Sequence, residues 1–332
     1  GEQPITLPKT KNLDASALPP NASPLDLTAL ISHTGTVNRS KDVMTLTGTF
    51  TALVTPFNTD GSVDYTALRE LVRWQIENGV TGLVPVGTTG ESPTLEFAEH
   101  IQVITATVEA AAGKAVIIAG TGANSTAEAI ELTRAVLNAG VDATLQVTPY
   151  YNKPNAEGLY RHFLSIAELG LPVVLYNVPG RAGKEIPLDV VVRLASHPNV
   201  AAVKEAAGSV DRVSAIRNAC ELPVLSGDDS LALPMISVGA CGVISVASNV
   251  IPKEMAALIR LALANDLAGA RELHRVYYPL FRDLFIDTNP IPVKTALALM
   301  SRVGPTFRLP LCEPAESVRD QISRTLRSLN LL

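Results

Sequence analysis

The sequence has few cysteines and histidines, and neither type is spaced as a disulfide framework or a metal site requires. The three cysteines, Cys220, Cys241 and Cys312, lie far apart with no CxxC pair, and the five histidines form no HExxH or Cys/His cluster. We therefore expect buried, unreactive thiols, as in a reducing compartment, and no metal.

Aromatic residues, long apolar runs and basic clusters are also scarce. Aromatics make up 5% of the chain, and the apolar stretches have the length of strands rather than of a membrane-spanning helix. The net charge is −5, and no run of Lys or Arg forms a basic stripe. Neither nucleic acid nor a membrane is therefore an expected partner. With no signal-peptide layout at the start, a cytoplasmic location is expected.

The first 45 residues differ from the rest of the chain. They contain five prolines among Ser, Thr and Asn, and their apolar residues show weak periodicity. A segment of this composition buries too little apolar surface to offset the entropy of folding. We expect residues 1–45 to form a flexible N-terminal extension.

From residue 46 onward, a strand-then-helix rhythm repeats eight times. Asp64 is predicted to cap the first helix, and the second is predicted to start at Thr94. The predicted strands are short apolar runs, as parallel strands covered on both faces require: 49–55, 82–86, 115–119, 143–148, 172–177, 200–205, 223–226 and 242–246. We predict an α/β fold, a (β/α)₈ TIM barrel over residues 46–264 followed by a C-terminal helical region over 265–332. A doubly wound parallel sheet is the alternative.

Active sites of such barrels lie at the carboxyl ends of the strands, and one predicted strand carries a lysine there. Lys204 ends an otherwise apolar run, Ala201 to Val203. Burial among apolar groups favours the neutral amine of a lysine, which is the nucleophile in Schiff-base formation. The alternative is a structural lysine paired with Glu205 or with an aspartate after the seventh strand.

Three other strand ends carry groups that suit a carbonyl substrate. Tyr176 can relay a proton, and Arg181 can bind a carboxylate in bidentate fashion. The turn 87–90, Gly-Thr-Thr-Gly, can hold a carboxylate or a phosphate through hydroxyl and amide groups. Each has a structural alternative, namely a hydrogen-bonded core tyrosine, a surface arginine and a tight turn.

Seven segments together resemble the dihydrodipicolinate synthase family, the pyruvate-dependent lyases that include N-acetylneuraminate lyase. The resemblance runs from about residue 46 to the end of the chain, and the segments fall at strand ends. They read GTTGES (87–92), GTGAN (120–124), PYYN (149–152), YNVPGR (176–181), VKEA (203–206), SGDD (226–229) and GVISV (242–246).

The resemblance implies catalytic roles for four residues. Lys204 forms an imine with pyruvate, and Tyr176 relays protons in a chain with Thr88 and Tyr151. Tyr151 reaches into the site of a neighbouring subunit, so a homodimer or homotetramer is expected. The imine is the electron sink, so no cofactor is expected.

The resemblance also implies the substrates and their binding residues. Pyruvate would condense with L-aspartate-4-semialdehyde to give 4-hydroxy-tetrahydrodipicolinate, on the path to diaminopimelate and lysine. Neuraminate lyases typically have Ser in place of Thr88 and lack an arginine matching Arg181, so this chain fits the synthase better. Another class I aldolase or a sugar-acid dehydratase of the family remains an alternative. The implied substrate-binding residues are Thr89, Arg181, Gly227 and Ile244.

A second, regulatory site is implied less completely. The family's allosteric lysine pocket is matched in part, whereas Phe97 replaces a frequent histidine and Pro93 also departs from the pattern. Weak inhibition by lysine is therefore expected. The matching residues are Ser92, His100, Asn124, Glu128 and Tyr150.

Two readings from other classes are weaker. A keto-acid sensor or pseudoenzyme would lack Lys204, Tyr176 or Tyr151, and all three are present. A phosphosugar enzyme would need a glycine-rich phosphate site after strands seven and eight, where this chain has Asp228 and Asp229. Two carboxylates repel a phosphate, so that reading is disfavoured.

Overall fold

The computed structural model describes residues 46–332, and the extension predicted for residues 1–45 lies outside them. In the described part, eight parallel strands close into a barrel in which each strand pairs with the next and the last pairs with the first. The predicted (β/α)₈ barrel is confirmed, and the doubly wound sheet is wrong because the sheet has no open edge. The strands are β1 (Gly48–Ala52), β2 (Gly82–Val84), β3 (Val116–Gly120), β4 (Ala143–Val147), β5 (Val173–Asn177), β6 (Val200–Glu205), β7 (Val224–Ser226) and β8 (Gly242–Ser245).

Helices separate the strands, and three more follow the barrel. They are α1 (Tyr65–Glu77), α2 (Phe97–Ala111), α3 (Thr126–Val136), α4 (Ala156–Ala167), α5 (Pro179–Ala182), α6 (Leu188–Ala195), α7 (Val210–Ala219), α8 (Ala232–Ser237), α9 (Pro252–Leu263), α10 (Leu267–Asp283), α11 (Ile291–Leu299) and α12 (Glu316–Ser328). None of the helices between residues 46 and 332 has the length and apolar character needed to cross a membrane.

The helix starts follow from local capping. Asp64 accepts hydrogen bonds from the backbone N–H groups of Thr66 and Ala67, which confirms the predicted cap of α1. The predicted start of α2 at Thr94 is wrong, because Glu96 and Glu99 form a capping box that begins the helix at Phe97. The residues before Glu96 form a separate 3₁₀ turn, Ser92–Thr94.

Two buried clusters explain why the strands are apolar on both faces. One fills the barrel interior and includes Phe50, Val174 and Leu225, and the other lies between the sheet and the surrounding helices. Where β8 meets β1, a Cβ on Gly242 would lie 2.1 Å from the carbonyl oxygen of Gly48. Only glycine lets the two strands approach closely enough to close the barrel.

The thiol environments differ from the sequence prediction in one place. Cys220 and Cys241 are partly buried, but Cys312 is exposed, so the expectation of a buried thiol is wrong there. Burial raises the pKa of Cys241 to about 11, so that thiol is unreactive at neutral pH.

Candidate active site

Lys204 lies buried at the carboxyl end of β6, next to a tyrosine of the neighbouring strand. Its side chain is 6% exposed, and its Nζ lies 4.1 Å from the centre of the Tyr176 ring. The two residues are register partners in the β5–β6 pairing, so the sheet itself sets their separation. An amine and a phenol this close can exchange a proton through a bound intermediate.

Glu205, the next residue on β6, does not pair with Lys204. Side chains on consecutive strand residues point to opposite faces. Glu205 accepts hydrogen bonds from the Asn177 amide at 2.9 and 3.0 Å and from the backbone N–H of Ala207 at 2.9 Å. Burial raises the pKa of Glu205, and these bonds oppose the rise. The lysine is therefore left free of this carboxylate.

The two aspartates after β7 have different surroundings. Asp229 accepts hydrogen bonds from the Ser245 hydroxyl and from the backbone N–H groups of Val246 and Ala247, and burial raises its pKa to about 6. Burial also raises the pKa of Asp228, and the positive charge of Lys204 partly offsets that rise. Asp229 therefore stabilises the end of β8 through hydrogen bonds, whereas Asp228 interacts with the positive charge of Lys204.

Gly227, directly after β7, makes room for the lysine side chain. A Cβ on Gly227 would lie 3.2 Å from Cε of Lys204 and 2.6 Å from Cβ of Ala206. Its backbone N–H donates to the carbonyl oxygen of Glu205 at 2.7 Å. A side chain at this position would push the Lys204 side chain out of place.

The two threonines predicted to bind a carboxylate lie in a single 3₁₀ turn, Thr88–Gly90, after β2. Thr88 is partly exposed and Thr89 is buried. Thr88 and Tyr176 line the same small cavity, of about 30 Å³. The turn is held from behind because the Thr55 hydroxyl donates to the carbonyl oxygen of Gly90 at 2.7 Å.

Asn289 contacts two of the predicted site residues, and the sequence alone does not predict it there. It precedes α11, and its Nδ2 donates to Oγ1 of Thr89 at 3.0 Å. Its backbone carbonyl accepts from Nη2 of Arg181 at 2.8 Å, while its buried Oδ1 has no partner among the described residues. Asn289 therefore joins the threonine turn to the exposed arginine of α5. The sequence gives no local signal for this, because the contact spans 200 residues.

The remaining predicted residues, Ile244 and Tyr151, lie in opposite environments. Ile244 is fully buried and packs in the barrel-interior cluster with Tyr176. Tyr151 is 90% exposed and has a positive φ of 73°. Within one chain the fold does not bring Tyr151 into the buried surroundings of Tyr176 and Lys204.

The residues predicted for lysine binding gather at a separate cleft of about 200 Å³. Ser92, His100, Glu128 and Tyr150 line it. Asn124 lies beside it and donates to the carbonyl oxygen of Tyr150 at 3.2 Å.

The charges in this cleft are set by burial. Burial lowers the pKa of His100, and its Nε2 donates to the carbonyl oxygen of Gly120 at 2.7 Å. Burial, together with the charge of Glu128, raises the pKa of Tyr150. The exposed ring of Phe97 adds an apolar wall to the cleft.

Across residues 46–332, no group of three or more His, Cys, Asp or Glu side chains is placed to hold a metal ion.

Comparisons with known proteins show which family this chain resembles in sequence and in fold. The model of the Dihydrodipicolinate synthetase family matches residues 45–329. The 4-hydroxy-tetrahydrodipicolinate synthase of Nitratidesulfovibrio vulgaris is 52% identical over 287 residues, which cover 85% of this chain and 98% of that protein.

Solved structures give the same result. The crystal structure of dihydrodipicolinate synthase from Aquifex aeolicus superposes with a TM-score of 0.85 at 46% identity, covering 86% of this chain and 98% of that one. The Acinetobacter baumannii enzyme, crystallised with pyruvate, gives a TM-score of 0.85 at 46% identity, covering 87% and 100%. The chain therefore belongs to the dihydrodipicolinate synthetase family.

Proposed function

We propose that this protein condenses pyruvate with L-aspartate-4-semialdehyde through a Schiff base on Lys204, giving 4-hydroxy-tetrahydrodipicolinate for diaminopimelate and lysine biosynthesis. The observation that carries the proposal is the buried Lys204 amine, 4.1 Å from the Tyr176 ring and free of the adjacent carboxylate of Glu205. Relatives about half identical over most of the chain bear the name of this synthase.

The first half of the reaction forms the enamine. The neutral Lys204 amine attacks the ketone carbon of pyruvate, and Tyr176 donates the proton with which the carbinolamine hydroxyl leaves as water. The protonated imine then withdraws electrons from the adjacent methyl group, which loses a proton to give the enamine. Hydroxyl and amide groups of Thr88 and Thr89 hold the pyruvate carboxylate during these steps. Because the imine itself accepts the electrons, the chemistry needs no cofactor.

The second half forms the carbon–carbon bond and closes the ring. The enamine attacks the aldehyde carbon of the semialdehyde, whose carboxylate binds Arg181. The α-amino group of the adduct then attacks the imine carbon and displaces Lys204. Gly227 leaves room for the substrate beside the lysine, and the backbone of Gly227 and of the buried Ile244 contacts it.

A second copy of this chain completes the proposed site. In a homodimer or a homotetramer, the hydroxyl of Tyr151 from one subunit joins the proton relay formed by Tyr176 and Thr88 of the other subunit. The 90% exposure of Tyr151 supports this, because an exposed tyrosine can cross an interface. Bonds between Asn124, Tyr150 and Asn152 brace the loop that presents it.

Lysine is proposed as a weak feedback inhibitor at the cleft lined by Ser92, His100, Glu128 and Tyr150, with Asn124 at its rim. The Glu128 carboxylate supplies a charge partner for the lysine ammonium. Inhibition is expected to be weak because Phe97 and Pro93 depart from the family's pocket, and lysine titration of the initial rate tests this.

We propose different roles for the two predicted regions of the described chain. Residues 46–264 form the catalytic barrel and residues 265–332 a helical region that supports its mouth. We also propose a cytoplasmic location, which fractionation of the producing cells tests.

The deciding experiment follows the parent protein and Lys204→Ala. The parent consumes semialdehyde only when pyruvate is present, and borohydride with pyruvate adds one reduced adduct at Lys204. Lys204→Ala loses both properties. A surface variant, Lys253→Ala, is the matched control and keeps both. An adduct without semialdehyde turnover would mean another aldehyde acceptor, and no adduct in the parent would overturn the proposal.

A further inference from the structure

A fully buried ion pair ties the C-terminal region to the threonine turn. Nζ of Lys294, on α11, donates to Oε1 of Glu91 at 2.5 Å, and neither side chain has exposed surface. The same Nζ donates to the carbonyl oxygen of Thr306 at 2.9 Å and lies 4.2 Å from the centre of the Phe57 ring. The other carboxylate oxygen of Glu91 accepts from the backbone N–H of Arg308 at 3.4 Å. Both oxygens of Glu91 are thus held by the C-terminal region.

Glu91 is also the residue that ends the Thr88–Gly90 turn. Its backbone N–H donates to the carbonyl oxygen of Thr88 at 3.1 Å, and its φ is +55°, a conformation that residues other than glycine rarely adopt. Strained backbone of this kind persists when surrounding contacts over-determine it, and it collects at functional sites. A shift of the Glu91 side chain is therefore transmitted to the turn.

Stability alone does not explain the pair. A buried ion pair contributes little net stability compared with apolar residues of the same volume, because both charges lose their hydration. Burial lowers the pKa of Lys294, and the charge of Glu91 opposes that effect. A buried ion pair is satisfied in only one arrangement of the two chain segments that carry it, so it fixes how those segments lie relative to each other.

The same C-terminal segment touches the turn at a second point. Asn289, five residues before Lys294, donates to the Thr89 hydroxyl. The turn is thus held at Thr89 and at Glu91 by one stretch of chain that lies outside the barrel sequence.

We propose that the Glu91–Lys294 ion pair positions the Thr88–Thr89 turn to receive the carboxylate of the keto acid. The two residues touch neither the substrate nor Lys204, so they are positioning residues. The proposal rests on the proposed function, because it takes that turn as the carboxylate site.

The test measures how much pyruvate half-saturates borohydride trapping on Lys204, followed by intact-protein mass, together with kcat at saturating pyruvate. The double variant Glu91→Gln/Lys294→Met removes both charges and keeps both volumes. We expect its half-saturating pyruvate concentration to rise by about tenfold, with kcat within about threefold of the parent, since lost carboxylate binding affects the ground and transition states alike.

Two further variants separate geometry from folding. Glu91→Asp keeps both charges and shortens the side chain by one methylene, and it is expected to raise half-saturating pyruvate by at least about threefold. Asp283→Asn is the matched control, because it removes another buried carboxylate of the C-terminal region, bonded to Arg282 and Thr325, that does not contact the turn. It is expected to trap pyruvate as the parent does.

The outcomes are distinct. If the parent forms no adduct, the proposed function fails and this inference falls with it. If the parent forms the adduct but the folded double variant and Glu91→Asp half-saturate at the parental concentration, only the positioning role is overturned. Should the double variant not fold, the Glu91→Asp titration decides in the same way.

Discussion

Lys204 and Tyr176 are paired across β6 and β5, and the lysine Nζ lies 4.1 Å from the centre of the phenol ring. Both side chains are 6% exposed, so water has little access to either. The parallel pairing of two strands, rather than a flexible loop, fixes their separation. A rigid sheet holds catalytic groups more accurately than a loop does.

Tyr176→Phe tests the phenol as the proton relay. We expect kcat to fall by roughly 100-fold to 10,000-fold, the range for losing a general acid–base group, while the ring still fills its place. Stopped assays at saturating pyruvate and semialdehyde measure the change. Tyr278→Phe removes a hydroxyl from a tyrosine that is 47% exposed and serves as the control. A kcat within twofold of the parent in Tyr176→Phe would rule out the relay.

Arg181→Lys tests which substrate the arginine serves. Lysine keeps the charge but loses the bidentate geometry, so the KM for semialdehyde should rise by roughly 10-fold to 100-fold. Borohydride trapping with pyruvate should be unchanged, because pyruvate is expected at the threonine turn. Arg161→Lys alters an exposed arginine as the control. If pyruvate trapping weakens by as much as semialdehyde binding does, Arg181 binds the carboxylate of pyruvate and not that of the semialdehyde.

The barrel could be read from the sequence because its strands are continuous apolar runs ended by polar residues. The predicted bounds of β6, 200–205, are those observed, and β4 was predicted one residue too long, at 143–148 against Ala143–Val147. The largest difference is at β1, which was predicted at 49–55 and runs over Gly48–Ala52. The burial of Lys204 was also readable, since the residues before it are apolar. Local pattern was sufficient in both cases.

Contacts made across the chain could not be read in this way. Asn289 and Lys294 lie in the part predicted only as appended helices, and they reach Thr89 and Glu91 about 200 residues earlier. A lysine within an apolar helical stretch gives no sign of its partner. The start of α2 was misplaced for a local reason, because the capping box at Glu96 was not recognised.

Mixing two inactive variants tests whether Tyr151 acts in a partner subunit. A mixed dimer of Tyr151→Phe and Lys204→Ala contains one site with both native residues if the tyrosine crosses the interface. Random reassociation makes about half of the dimers mixed, each with one of two sites intact, so about a quarter of the parental activity should return. The rate is measured after the two proteins are unfolded and refolded together.

As a control, each variant is refolded separately and the two are mixed afterwards, which measures how much subunits exchange between folded dimers. Activity no higher than the sum of the two variants, in dimers shown by mass to be mixed, would mean that Tyr151 acts within its own chain or not at all.

His162 links stability to pH at a site away from the chemistry. The ring is 4% exposed, its Nδ1 lies 2.9 Å from the Thr126 hydroxyl, and its Nε2 has no partner among residues 46–332. Burial lowers its pKa from 6.5 to about 4. Between those values the unfolded chain binds a proton that the folded chain does not, so acid favours unfolding.

The free energy of unfolding should therefore fall as the pH drops from 7 to 5, and His162 should account for about 2 kcal/mol of that fall. His162→Gln removes the titrating group and keeps a polar side chain that can bond Thr126. Urea unfolding of the parent and the variant at several pH values measures the difference between them. The variant should be less stable than the parent at pH 7, and the gap should shrink towards pH 5. If the free energies of unfolding of the two proteins run parallel across pH, His162 has the same pKa in the folded and unfolded chains. Its burial then contributes nothing to the pH dependence of stability.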